Sequence, residues 1–176
     1  MKPSSLVPRP SSLVLGVDPG LERIGFGLVR REGSSITAVE YGLIETPRIA
    51  LADRLNLVFE QVDELIKRTH PDAFATEALL FSVNRKTAMD VAKSLGVILL
   101  AGNRNGLPWT EYTPPEIKLS IVGNGAAEKK QVQYMVTKLL NLPKAPKPDD
   151  VADALAIAIC HALRMKTAAQ LTQHRP

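Results

Sequence analysis

Cysteine occurs once in the 176 residues, at Cys160, and histidine only three times. A lone thiol closes no internal disulfide and has no second cysteine with which to frame a zinc site, so thiol-based metal chemistry is disfavoured. The same usage fits a reducing compartment, and a cytoplasmic location is expected. Long hydrophobic runs are also missing, since a membrane span needs about 18 unbroken apolar residues. The nearest stretch, residues 152–163, is short, rich in alanine and interrupted by Asp153 and His161. No membrane role is expected. Residues 1–12 hold three prolines and lack the apolar segment of a secretory signal, so they are expected to form a flexible leader outside the fold.

Hydrophobic residues make up 45% and charged residues 23% of the chain, which excludes wholesale disorder and a collagen-like fibre. One packed domain is expected over residues 13–165, followed by a flexible tail over 166–176. The net charge is +4, and its distribution is uneven. Residues 51–80 carry three basic and six acidic side chains, whereas residues 81–148 carry ten basic and four acidic. A basic region of that kind suits a phosphate-binding face, and it equally suits a solvated lysine-rich surface.

The apolar run Leu13-Val-Leu-Gly-Val-Asp18, closed by Pro19-Gly20, predicts a buried first strand. Residues 23–31 and 36–46 predict two more, joined by a hairpin-type connection, giving an antiparallel meander. Over residues 49–69 the apolar positions recur every three or four residues, which predicts an amphipathic helix. Residues 73–77 read as a fourth strand that reaches the first through a right-handed crossover. A helix over 86–105, a fifth strand over 108–112, a short helical turn at Pro114-Pro115, and helices over 127–140 and 149–165 complete the chain. This order predicts an α/β fold, a five-stranded mixed sheet flanked by helices.

Asp18 ends the first strand and Glu77 the fourth, so parallel neighbours would bring both carboxylates to one edge of the sheet, where α/β folds bind ligands. Asp150 and Asp153, three apart, share a face at the start of the last helix, with Asp149 beside them. Taken singly, each acid has an ordinary explanation as a turn opener, a solvated strand end or a helix-capping charge. Together they repel one another unless a cation neutralises them. Hard oxygen ligands favour Mg²⁺ or Mn²⁺ over Zn²⁺. Two such ions about 3.5–4 Å apart activate a water and stabilise the leaving oxygen of a phosphodiester. The small side chains of ALAIAICHA, which follow Asp153, let the last helix approach the sheet closely.

The motifs Gly16-Val-Asp18-Pro-Gly20, Ala75-Thr-Glu77, Gly123-Asn-Gly-Ala-Ala-Glu-Lys129-Lys-Gln-Val132 and Asp150-Val-Ala-Asp153-Ala-Leu-Ala-Ile-Ala occur in the order seen in the bacterial RuvC Holliday junction resolvases. The chain resembles that family from about Leu13 to His161. The resemblance implies a ribonuclease H-like fold, a homodimer and Mg²⁺-dependent paired nicking of four-way DNA junctions, with two ions per site. It places the acidic tetrad on Asp18, Glu77, Asp150 and Asp153, and basic residues near the scissile phosphate on Lys118 and Lys129. It also implies a branch-migration complex of the RuvA and RuvB type as partner. Lys130, Arg85 and Lys86 are further candidates for DNA contact. The family generally carries phenylalanine three residues after the glutamate; here that position is Leu80 and Phe81 follows, so both are candidates to meet a base at the crossover.

Trp109 and Tyr112 are expected in the core, and His161 is expected on a helix surface or as a satisfied core polar group. Ala88, Ala92, Leu95, Ile98 and Leu99 form the candidate dimer face. Competing readings are a sugar kinase or actin-like ATPase, for whose second half the length leaves no room, a junction-binding protein with a silent site, and a ribonuclease H acting on RNA:DNA hybrids.

Overall fold

A computed structural model describes residues 11–79 and 85–165. The chain opens with β1 (Ser11–Asp18), β2 (Arg23–Glu32) and β3 (Ser35–Glu45), then α1 (Leu51–Thr69), β4 (Ala73–Glu77), α2 (Arg85–Arg104) and β5 (Trp109–Tyr112). Three helices follow, α3 (Pro114–Val122), α4 (Lys129–Leu139) and α5 (Asp149–Arg164). The sheet order is β3-β2-β1-β4-β5, with β1 antiparallel to β2 and parallel to β4. The expected mixed sheet is therefore present, and β4 reaches β1 through the α1 crossover.

Side-chain alternation along the strands divides the core in two. Leu15, Val17, Ile24, Leu28, Ile44 and Phe74 face α1 and α2, where they meet Val58, Val62, Leu65, Ile66, Ile98 and Ala101. Val14, Val29 and Ala75 face α5, with α3 and α4 packed behind it. By the same alternation Gly16 and Asp18 point to the α5 face. Eleven of the sixteen α5 residues are buried, which is why this helix reads as apolar on nearly all sides.

Three glycines let α5 lie close to the strands. A Cβ on Gly16 would fall 2.5 Å from the backbone nitrogen of Ala158 and 2.8 Å from its Cβ. One on Gly25 would collide with the carbonyl of Asp150, and one on Gly27 would stand 2.9 Å from the backbone nitrogen of Leu155. Small residues meet on both sides only at Gly16, opposite Ala154 and Ala158; at Gly25 and Gly27 the strand glycine alone makes the room.

Some expectations need correction. β1 starts at Ser11, two residues before the predicted Leu13, because Ser11 and Ser12 extend the ladder opposite Glu32 and Arg31. α4 starts at Lys129 because Glu128 caps it in a reciprocal capping box with Gln131. Trp109 is not core: it lies on the short edge strand β5, 41% exposed, and its indole donates to Thr76 Oγ1 at 3.1 Å. Tyr112 is buried as expected, and its hydroxyl meets buried His161 Nδ1 at 2.8 Å. Leu95 and Ile98 are not available as a dimer face, since both are buried within this chain's own core. The exposed large apolar residues of α2 are instead Met89 and Leu100.

If the close approach of α5 holds the fold together, Gly16→Ala lowers the unfolding free energy by about 3 kcal/mol through overpacking against helix backbone. Gly96→Ala, in α2 with nothing within 4 Å of the added methyl, raises it by about 0.5–1 kcal/mol. Urea denaturation of both variants checks the contrast; equal effects would contradict it.

Candidate active site

Asp18 and Glu77 emerge side by side because β1 and β4 are parallel and in register, with Val17 opposite Thr76. Asp18 pairs with Gly25 on the other side, and Gly25 lies directly beneath the Asp150 carbonyl. The first turn of α5 is thereby set over the end of β1. Burial, then repulsion from Asp153, Glu77 and Asp150, pushes the Asp18 carboxyl up from 3.8 to about 8, against a small opposing pull from Lys129. Burial also raises Glu77 and Asp153 above their ordinary values; Asp153 adds to the rise at Glu77, and Lys129 and Lys118 oppose it. Asp18 is the centre of this cluster, because the other three acids all repel it.

Two cations balance the cluster from different sides. Lys129, the first residue of α4, donates to Asp153 Oδ2 at 2.8 Å and stands 3.4 Å from Asp149 Oδ2. Burial pulls the Lys129 ammonium down, but its bond to Asp153 and the two acidic charges outweigh this and leave it raised. Arg23, from the start of β2, faces Asp150 Oδ2 across 3.4 Å. The sequence reading missed Arg23; the Asp18 to Gly25 pairing of a tight hairpin was the signal that places it beside the acids.

A cleft of about 240 Å³ opens at the acids, lined by Glu77, Lys118, Lys129 and Asp153 over a floor that includes Ile117 and Val132. Of the expected site residues, Asp18, Glu77, Asp150 and Asp153 converge, and Lys118 and Lys129 join them. Lys130 is exposed on α4, next to this cleft in sequence. Arg85 and Lys86 begin α2, but their side chains, like Leu80 and Phe81 altogether, lie outside the described residues.

Among the described residues, no three His, Cys, Asp or Glu side chains already stand at the spacing that holds one ion. The carboxylates nevertheless suit a hard divalent cation in three respects. All donors are oxygens; three of the four are raised by burial and mutual repulsion; and Asp150 Oδ2 is buried without a hydrogen bond, its contact with Arg23 being electrostatic only.

Comparison with known proteins agrees with this geometry. The family profile described as crossover junction endodeoxyribonuclease RuvC matches residues 14–161. The crossover junction endodeoxyribonuclease RuvC of Clostridioides difficile is 47% identical over 151 residues, covering 85% of this chain and 89% of that protein. The chain belongs to the RuvC family. The solved structure of Thermus thermophilus RuvC superimposes with a TM-score of 0.80 at 34% identity, covering 85% of this chain and 93% of the other. T. thermophilus RuvC in complex with Holliday junction substrate gives 0.78 at 32% identity, over 85% and 92%. The fold is thus the ribonuclease H-like fold of the RuvC nucleases, and membership carries a dependence on divalent metal. Among the described residues, no helix is long and apolar enough to cross a membrane.

The raised Asp18 value has a definite sign. The folded, metal-free chain keeps a proton on Asp18 up to about pH 8, while the unfolded chain releases it near 3.8. This contribution to stability is whole below the lower value and is lost progressively as pH rises to the upper one. In EDTA, the thermal midpoint of the wild type should therefore fall between about pH 5 and about pH 8 more steeply than that of Asp18→Asn. The variant should be the more stable of the two at the upper pH by a few degrees. Parallel melting curves across this range would show that Asp18 is ionised throughout.

Proposed function

We propose that this chain is a Mg²⁺-dependent, structure-selective endonuclease that resolves four-way (Holliday) DNA junctions by two symmetric phosphodiester cuts in recombination and repair. The observation that carries the reading is the meeting of Asp18, Glu77, Asp150 and Asp153 at one end of the sheet, beside a cleft lined by Lys118 and Lys129. Acids that suit hard cations stand next to bases that suit phosphate. The T. thermophilus relative solved with Holliday junction substrate supports the choice of a branched DNA.

Asp18, Glu77, Asp150 and Asp153 are the residues that would hold two Mg²⁺ ions, for which Mn²⁺ substitutes. Such ions supply an ionised water at neutral pH and charge stabilisation at the leaving oxygen. The protein's own part is electrostatic and positional. Asp18 must give up its proton as the ligand set forms. Lys129 must loosen its bond to Asp153, and its 3.4 Å contact with Asp149 keeps it at the mouth of the cleft, where it meets the scissile strand. Lys118 holds the same backbone from α3, Lys130 extends the contact along α4, and Arg85 and Lys86 extend it along α2. Leu80 or Phe81 meets a base at the crossover. Cleavage leaves a 5′-phosphate and a 3′-hydroxyl.

One site cuts one strand, so resolution requires a homodimer with two sites related by a two-fold axis. The outward face of α2, with Met89 and Leu100 exposed on one stripe, is the surface we assign to that pairing. A branch-migration complex of the RuvA and RuvB type would supply the junction, in the cytoplasm.

The test is incubation of the protein with a labelled mobile four-way junction, a linear duplex and an RNA:DNA hybrid, each with Mg²⁺ or EDTA. Paired metal-dependent cuts in the junction alone are expected; cleavage of the hybrid would move the activity to a ribonuclease H. Asp18→Asn should abolish cutting and retain junction binding, and Lys118→Ala should slow turnover with little loss of stability. Substantial cleavage by Asp18→Asn would remove Asp18 from the ligand set.

A further inference from the structure

A second concavity, of about 490 Å³, adjoins the acids on the side away from Lys129 and is lined by Gly20, Glu22, Arg23, Arg54, Asp90 and Asp150 among others. Its charges are almost all matched. Glu22 faces Arg48 at 3.5 Å, Asp90 accepts from Lys93 at 2.9 Å, and Asp150 faces Arg23 at 3.4 Å. Arg54 is the exception. Its Nε donates to Thr46 Oγ1 at 3.1 Å, but Nη2 is buried with no acceptor, and no acid pairs with the guanidinium among the described residues. The remainder of the chain, residues 1–10, 80–84 and 166–176, contains no Asp or Glu that could do so.

A buried guanidinium N–H without an acceptor costs free energy that an incoming anionic oxygen recovers. The scaffold around Arg54 is fixed, since Thr46 Oγ1 donates to the Leu21 carbonyl, Thr46 N donates to Glu22, and Ser94 donates to Gly20 at 2.6 Å. Arg54 is thereby held on the turn between β1 and β2 that carries Asp18 on its near side. A ligand in this concavity touches Arg54 and Asp150 together, so it lies next to the acids.

We propose that Arg54 forms a phosphate subsite for the DNA strand being cut, binding a backbone phosphate that neighbours the scissile one. This rests on the nuclease reading above. The subsite fixes the strand on the Asp150 side while Lys118 and Lys129 hold it on the Glu77 side, so that the scissile bond is stretched between two anchors.

Binding of a four-way junction is measured in Ca²⁺ over a range of salt for wild type, Arg54→Gln and Arg54→Lys, with single-turnover cleavage in Mg²⁺. Arg54→Gln should reduce the salt slope by about 1 and slow cleavage by about 10–100-fold, with Arg54→Lys recovering the slope. Methylphosphonates placed singly at the phosphates flanking the cut provide a measurement on the wild type itself. One of these should impair wild type and leave Arg54→Gln no worse than it already is. Wild type that tolerates every flanking methylphosphonate, or an Arg54→Gln salt slope equal to that of wild type, would overturn the subsite. Failure of wild type to bind or cut the junction would instead overturn the nuclease reading on which it rests.

Discussion

The close contact between the α5 backbone and the glycines of β1 and β2 is the constraint on which this structure depends. A helix separated from a sheet by ordinary side chains can slide or tilt by small amounts. Here Gly16 lies under Ala154 and Ala158, Gly25 under Asp150, and Gly27 under Leu155, and each pairing fixes one point of the helix against one point of the sheet. Because Gly25 is also the ladder partner of Asp18, the first turn of α5 is registered against the end of β1. The relative placement of acids that are about 130 residues apart in the chain follows from backbone packing, with no adjustable side chain between them. α3 and α4 then stack on α5, and the lysines they carry inherit the same reference.

This precision imposes an electrostatic load. Asp18 is partly buried and surrounded by three acids, and in the metal-free fold its carboxyl is held protonated to about pH 8. A cost of this kind, desolvation first and repulsion second, is tolerable only because the surrounding packing over-determines the geometry. The load is relieved unequally on the two sides of the cluster. Asp153 has a close hydrogen bond from Lys129, whereas Asp150 has only the longer contact to Arg23 and a buried oxygen without a donor. The Asp150 side is therefore the one with more to gain from a cation. A cation bound there also weakens the hold of Asp150 on Arg23.

Much of this was legible in the sequence, and the failures have physical causes. An unbroken apolar run closed by a Pro-Gly turn located β1 and its terminal Asp18, and helical spacing located α1. The i, i+3 pair Asp150 and Asp153 was visible for the same reason. The alanines after Asp153 signalled close approach, but the glycines opposite them did not, because glycine within a strand reads only as lost propensity. Leu95 and Ile98 mark an apolar stripe that looks the same whether it meets the chain's own core or a partner, and here the core claims it. Trp109 was misplaced because hydrophobicity does not reveal that β5 is an edge strand. Arg23 and Arg54 escaped notice because their significance lies in their surroundings, an acid beside Arg23 and none paired with Arg54 among the described residues, and that depends on hairpin register and on the packing of α1.

Lys129 shows how two local costs can cancel across elements. A lysine at the first position of a helix opposes the helix dipole, at a cost of about 0.3–1 kcal/mol. Acids at the first turn of a helix are favoured by the same effect, which suits Asp149 at the start of α5 but leaves it repelling Asp150 and Asp153. Bringing the two helix starts together removes both difficulties, since one ammonium serves Asp149 and Asp153 at once. A charge-assisted hydrogen bond contributes about 1.5–3 kcal/mol, discounted here because the lysine is half exposed, and this is enough to offset the dipole term. The arrangement is favourable only while Lys129 faces negative charge. An anionic strand entering the cleft preserves that condition when Asp153 is engaged elsewhere, so the position of this lysine is stable both with the acids as its partners and with a phosphate in their place.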